Sequence, residues 1–392
     1  MVGAEAVTAK HALVARAPRN CHERRIGRQR AAARRPAERR ATAGGGEAAR
    51  GATGDSGAAP RRPAERRVPL RPDGGEAADG YPRAVRALVV TNLWPSETAP
   101  QLGSFVRDQV VALRRRGDVE VDVLAFPPGP RALLRTLAGA RHRTRGRYDV
   151  VHAHFGLSAW PALAARRGPV IVTLHGNDLF HPRTNRITRA ALPLCALTAA
   201  VSRAFSRNVP GAGERRRVAV LPVGIALERL RPIPRLEART RLGLDPDGPY
   251  LLFPHDPARP LKRFDRAREA AGDVPLLTMG RVAPEQVPYW INAANAVLVP
   301  SQDEGFGLAV LEALACGVPA FGTPVGMHPL ALAGVEGAYC APWDRDAWRA
   351  ALRPHLEAAD PRVDGRARAE LFSSDRMAAR VVEAWREVAE AG

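Results

Sequence analysis

Short apolar runs recur along this chain at 87–91, 119–126, 149–153, 170–174, 197–201, 218–221, 250–253, 275–278 and 296–299. Each is strand-length and bounded by polar or turn-forming residues, so each predicts a β-strand. Between most of them the apolar positions repeat every three to four residues, which predicts helices at 105–116, 131–147, 235–242 and 284–294. Strands alternating with helices imply parallel βαβ units and an α/β fold. The segment 221–234 is punctuated by Pro222, Gly224, Pro232 and Pro234 and reads as a connector between two such domains. The expected divisions are 81–223, 224–372 and a last amphipathic helix over 373–392, carrying Met377, Val381, Val382, Trp385 and Val388 on one stripe.

One stretch combines all of these signals: Val299-Pro-Ser-Gln-Asp-Glu304-Gly-Phe-Gly-Leu-Ala-Val-Leu-Glu312-Ala-Leu-Ala-Cys-Gly-Val-Pro319. A strand turns through Pro300 and Ser301 into a glycine-flanked loop. From Gly307 the pattern becomes helical, with Leu308, Leu311, Leu314 and Ala315 at spacings of three and four. Gly317 ends the helix, Pro319 forbids its continuation, and another apolar run follows at 318–321. The unit aims a helix N-terminus at the C-terminal edge of a parallel sheet, where open α/β sheets bind ligands. Bare amides there attract phosphate. Glu304 in the loop and Glu312 in the helix do not bind phosphate; their carboxylates accept hydrogen bonds from sugar and ribose hydroxyls. Together they form a cradle for a nucleotide diphosphate-sugar.

Glu304-x7-Glu312 in this setting resembles the signature of the retaining GT-B glycosyltransferases of the family 4 type. The resemblance covers about 85–375 and implies two Rossmann-like domains facing across a cleft. In its terms Glu304 holds the sugar hydroxyls and Glu312 the ribose, with Gly305, Phe306, Gly307 and Leu308 in the loop around the donor. Thr173-Leu-His175-Gly-Asn-Asp178 ends a strand and matches the family's His-Gly-x-Asp, which makes His175 a donor-sugar contact and Asp178 a weaker candidate. His152 and His154 end the preceding strand; a His/His/Asp metal site would lack a further ligand at a recognisable spacing. Pro254-His-Asp-Pro-Ala-Arg259-Pro-Leu-Lys262-Arg263 occupies the place where the family grips the diphosphate with an Arg and a Lys, here Arg259 and Lys262. Arg263 is a further candidate, and the usual Gly-Arg pair is not present. Arg281 and Val282 follow another strand, where the family's backbone meets the nucleobase. Pro100-Gln-Leu-Gly103-Ser-Phe-Val-Arg-Asp-Gln109 resembles transferases of teichuronic-acid and cell-surface polysaccharide synthesis, and Gly103 would let backbone approach the ligand. Met327 and Leu330 stand where relatives often carry Gly and Glu. The implied reaction is metal-independent, retaining transfer of a hexose from an NDP-sugar to a glycolipid or polysaccharide acceptor, with no cofactor. The alternative is a catalytically silent module that binds nucleotide-sugar.

Composition adds detail. Net charge is +19, yet among 59 basic residues only Lys10 and Lys262 are lysines, so Lys262 stands out in a chain that otherwise uses arginine. Residues 1–80 are poor in large apolar side chains and repeat Arg-Arg-Pro-Ala-Glu-Arg-Arg at 34–40 and 61–67, which predicts a disordered tail. It reads as dispensable rather than as a binding arm. The basic, amphipathic 131–147 could equally lie on an anionic leaflet or face solvent. No motif points to a specific nucleic-acid partner, and the first strand-loop-helix carries no G-x-G-x-x-G. The four cysteines show neither zinc nor disulfide spacing and no apolar run is long enough to span a bilayer, so a cytoplasmic enzyme, at most peripheral at the inner membrane face, is expected.

Overall fold

A computed structural model describes residues 83–213 and 217–391. The tail predicted over 1–80 lies outside the described residues. The remainder holds two parallel sheets.

The first sheet contains β1 (Val85–Thr91), β2 (Val119–Ala125), β3 (Val150–His154), β4 (Val170–Leu174), β5 (Leu197–Ala200) and β6 (Val218–Val220), in the order β2-β1-β3-β4-β5-β6. The second contains β7 (Leu251–Phe253), β8 (Leu276–Thr278), β9 (Ala296–Val299), β10 (Ala320–Gly322) and β11 (Tyr339–Cys340), in the order β11-β10-β9-β7-β8. Every pairing is parallel. In each sheet the order reverses direction about the first strand, and such a switch point opens a crevice at the C-terminal edge.

Helices cover both faces, so alternate residues of one strand enter different cores. In β1, Ala87 and Val89 pack with the helices Ser104–Arg115 and Ser374–Ala391, whereas Leu88 and Val90 join the other face. In the second sheet Leu251, Phe253 and Leu298 pack on Trp348 of the helix Arg345–Glu357, and Leu252, Val297 and Val299 pack with the helix Leu308–Ala315.

Most predicted strands and helices recur within one or two residues. The basic helix runs Pro130–Arg143, shorter than expected, because Thr144 is extended and its hydroxyl bonds the Ala140 carbonyl. The helix expected at 284–294 narrows to Val287–Ala293. Strand β11 and the helix Arg345–Glu357, capped by Asp344 on the Ala347 amide, were not foreseen.

The last helix, Ser374–Ala391, lies on the first sheet although the chain reaches it from the second. Trp385 Nε1–H donates to His152 Nδ1 at 3.0 Å. Where the chain crosses, Ile225 N–H donates to the Phe372 carbonyl (2.8 Å) and Ser374 N–H to the Ile225 carbonyl (2.9 Å). The outgoing connector and the returning segment are therefore hydrogen-bonded side by side. Among the described residues no helix is long and apolar enough to cross a membrane.

Candidate functional site

The C-terminal edges of the two sheets meet at the loops after β4 and β9. Gly305 lies against the backbone of His175, and a Cβ on Gly305 would stand 2.1 Å from the His175 carbonyl oxygen. Only glycine allows that approach. Ser202, after β5, locks the junction by donating its hydroxyl to the Gly305 carbonyl at 2.7 Å.

On the β9 side Glu304 is nearly enclosed, with its side chain 8% exposed. Its Oε1 accepts from Lys262 Nζ at 2.6 Å and from the Ser301 hydroxyl at 2.7 Å. Burial works to raise the Glu304 carboxyl, but the Lys262 ammonium, helped by His255 and His328, overrides it and holds the group at about 2. Glu304 is thus ionised. Burial lowers the Lys262 ammonium and Glu304 pulls it back up. Lys262 sits at the end of the 3-10 turn Pro260–Lys262, which begins after Arg259. Arg259 is exposed, with no ion pair among the described residues. Arg263 is turned away, pairing with Asp265 at 2.5 Å.

The helix Leu308–Ala315 starts at Gly307 with no side-chain cap on its amides. Half-exposed Leu308 opens the helix, while Phe306 has its ring buried against Phe372 and offers the site only backbone. Glu312, one turn on, is only partly covered; the buried setting of its carboxyl pushes it up to about 7, against the pull of Arg229 and with a further push from Asp108. Arg229 reaches Asp108 through both terminal nitrogens, at 3.2 and 2.5 Å, joining the connector to the helix Ser104–Arg115. Arg107 and Glu285 make a second link of this kind at 3.2 Å. Arg281 is exposed and Val282 partly buried after β8.

On the β4 side the Asp178 carboxylate is fully buried and accepts the amides of His175, Gly176 and Gly156 at 2.6 to 3.3 Å. Burial raises its carboxyl to about 6, and those amides work in the opposite direction. Asp178 therefore shapes the His175 turn. The His175 ring is flanked by Phe105, centroids 4.9 Å apart, and by His154, 5.3 Å away. Gly103 has φ 65° and its missing Cβ would clash with the Leu93 carbonyl at 2.1 Å, so the close approach that requires glycine there is to the chain itself.

Several residues of the site were not singled out from sequence. Ser301 and Ser202 act through hydroxyls in a Pro-Ser turn and a strand end. Asp108 and Arg229 meet only in the fold. His328 Nδ1 faces the Thr323 carbonyl at 2.8 Å, and its ring occupies the space beside Gly307. His152 is structural: Trp385 can only donate, so His152 Nδ1 accepts and Nε2–H points to Thr173 at 2.8 Å. No group of three or more His, Cys, Asp or Glu among the described residues is arranged to hold a metal ion.

Comparison with known proteins agrees with this layout. Residues 76–229 match the model of Glycosyltransferase Family 4, and residues 254–358 that of Glycosyl transferases group 1. A D-inositol 3-phosphate glycosyltransferase of Actinosynnema mirum is 31% identical over 315 residues, covering 63% of this chain and 74% of the relative. The Frankia alni protein of the same name is 28% identical over 331 residues, covering 68% and 78%. Among solved structures, sucrose-phosphate synthase from Thermosynechococcus elongatus aligns with TM-score 0.60 at 20% identity, over 79% of this chain and all of its own (100%). Anabaena HepE, solved with UDP-glucose, aligns at 0.59 and 17% identity over 77% of this chain and 99% of its own. Those two structures share the GT-B fold with this chain.

Proposed function

Because this chain belongs to the family 4 glycosyltransferases, we infer that it moves a hexose from a nucleoside diphosphate sugar to an acceptor hydroxyl with retention at the anomeric carbon. The observation that carries this reading is the buried Lys262–Glu304 pair beside the uncapped helix at Gly307, set against the His175 turn of the other sheet. The donor diphosphate lies over the amides of Gly307 and Leu308, within reach of Lys262 and Arg259. These positive groups neutralise charge as the sugar–oxygen bond breaks, and such charge stabilisation acts where charge develops. The residues supply that charge themselves, so transfer proceeds without a metal. Binding of diphosphate gives Lys262 a second anion to hold and leaves Glu304 free to take hydroxyls of the sugar. Glu312 holds the ribose, and Arg281 and Val282 lie beside the base.

The relatives' names point to a phosphorylated cyclitol as one acceptor class. The start at Pro100–Gln109 resembles enzymes of cell-surface polysaccharide synthesis and points to a glycolipid or polysaccharide of the teichuronic-acid type. The basic helix Pro130–Arg143, with Leu134 63% exposed, suits peripheral contact with an anionic membrane where such acceptors lie.

Incubation with UDP-, GDP- and ADP-sugars and both acceptor classes tests the reading, with anomeric configuration read by NMR. Glu304→Ala should abolish transfer while the variant still binds nucleotide. Near-normal turnover by that variant would overturn the assignment. Donor binding without transfer to either class would favour a silent nucleotide-sugar module.

A further inference from the structure

The β3 and β4 ends hold a line of polar side chains that the donor site does not account for. Gln109 Nε2 lies 3.1 Å from His154 Nε2, and His154 Nδ1 lies 3.1 Å from His175 Nε2. Gln109 and His154 are buried. We propose that Gln109 and His154 are positioning residues that fix the His175 imidazole as its Nδ1–H tautomer, so that the ring offers an N–H to the sugar in the crevice.

A neutral imidazole carries one N–H and one lone pair. Burial depresses all three histidines of this group, His154 to about 3, so each is neutral at ordinary pH. The Gln109 amide nitrogen can only donate, so His154 Nε2 accepts. The single N–H of His154 then sits on Nδ1 and points at His175 Nε2. That nitrogen accepts in turn, and the His175 proton is left on Nδ1. Orientation of one amide thus sets the polarity of a ring two residues away in the line. His152 does not compete, because Trp385 and Thr173 already satisfy both of its nitrogens. Phe105 and His154 both pack on the His175 ring, at 4.9 and 5.3 Å between centroids, which restrains it. Free neutral imidazole side chains prefer the opposite Nε2–H form, so the relay imposes the less common one.

The use of that N–H rests on the glycosyl-transfer reading; the tautomer does not. The test is long-range proton–nitrogen correlation NMR on the full chain with nitrogen-labelled histidine. The expected spectrum shows a pyrrole-like Nδ1 and a pyridine-like Nε2 for His175. The reverse pattern in the unsubstituted protein overturns the proposal. Gln109→Leu should release His175 towards Nε2–H and lower kcat about tenfold, the worth of one neutral hydrogen bond. UDP affinity should stay close to that of the parent. A Gln109→Leu protein that keeps both the parent tautomer and the parent kcat also overturns it. Should Gln109→Leu not fold, the spectrum of the parent decides alone. A chain that transfers no sugar yet shows the Nδ1–H ring loses the enzymatic reading and keeps the relay.

Discussion

Replacement of Lys262 by methionine should change the sign of the pH dependence contributed by Glu304. In the parent, the Glu304 carboxyl lies at about 2 in the fold against an ordinary 4.5. A folded value below the unfolded one gives stability that is present above about 4.5 and lost as pH falls towards about 2. That gap corresponds to roughly 3 kcal/mol, at about 1.4 kcal/mol per pH unit. Both partners are nearly enclosed, at 9% and 8% side-chain exposure, so solvent screens the interaction little. Methionine keeps the length of the Lys262 side chain and removes its charge. Burial then raises the Glu304 carboxyl above 4.5. The variant should be about 3–5 kcal/mol less stable near pH 8, the cost of a buried charge that has lost its partner. Unlike the parent, it should regain stability as pH falls through the raised value towards 4.5, because the carboxyl takes up a proton. Urea denaturation at intervals from pH 4.5 to pH 8 measures this difference curve. A loss below about 1 kcal/mol, or a loss that does not shrink on acidification, would refute the claim that Lys262 holds Glu304 ionised in a buried site.

Two further outcomes follow from the same geometry. Glu312→Gln should be more stable than the parent above pH 7 by about 1–3 kcal/mol, because the folded carboxyl at about 7 lies above its ordinary 4.5 and its ionisation opposes folding there; the gain should fade as pH drops towards 4.5, with donor affinity weakened throughout, as read by thermal midpoints with and without UDP-sugar. Gly305→Ala should lower kcat/KM at least about tenfold, since the new methyl meets the His175 carbonyl at 2.1 Å and pushes the two loops apart, a displacement of the kind that costs far more than its size suggests; unchanged kinetics would show that the junction is not rigid.

Much of the architecture was legible because it rests on local rules. The strand at 296–299, the helix from 308 to 315 and its stop at Gly317 follow from apolar spacing and glycine chemistry, and they lie where those rules put them. Glu304 came into view with that unit, whereas His175 and Lys262 came from the resemblance to the family 4 transferases, Lys262 also as a rare lysine in an arginine-rich chain. None of this said what each touches. Asp178 came in with His175 through the family's His-Gly-x-Asp, and the motif does not tell that its buried carboxylate accepts three amides. Phe306 sits among donor-loop residues, yet its ring finds Phe372 across 66 positions of chain. Arg263 is adjacent to Lys262 and points to Asp265. Asp108, Arg229 and Gln109 gain meaning only from partners distant in sequence, which no spacing rule encodes.

The paired crossing at Ile225 and Ser374 has a mechanical consequence. Two tethers tied to each other by backbone hydrogen bonds in a parallel bridge cannot twist independently, so the lobes should swing about one axis, as a door on two pins does, and not rotate freely as on a single cord. Any opening that admits the sugar donor must then close along the same path, returning the loop after β9 to the His175 turn in one register each time.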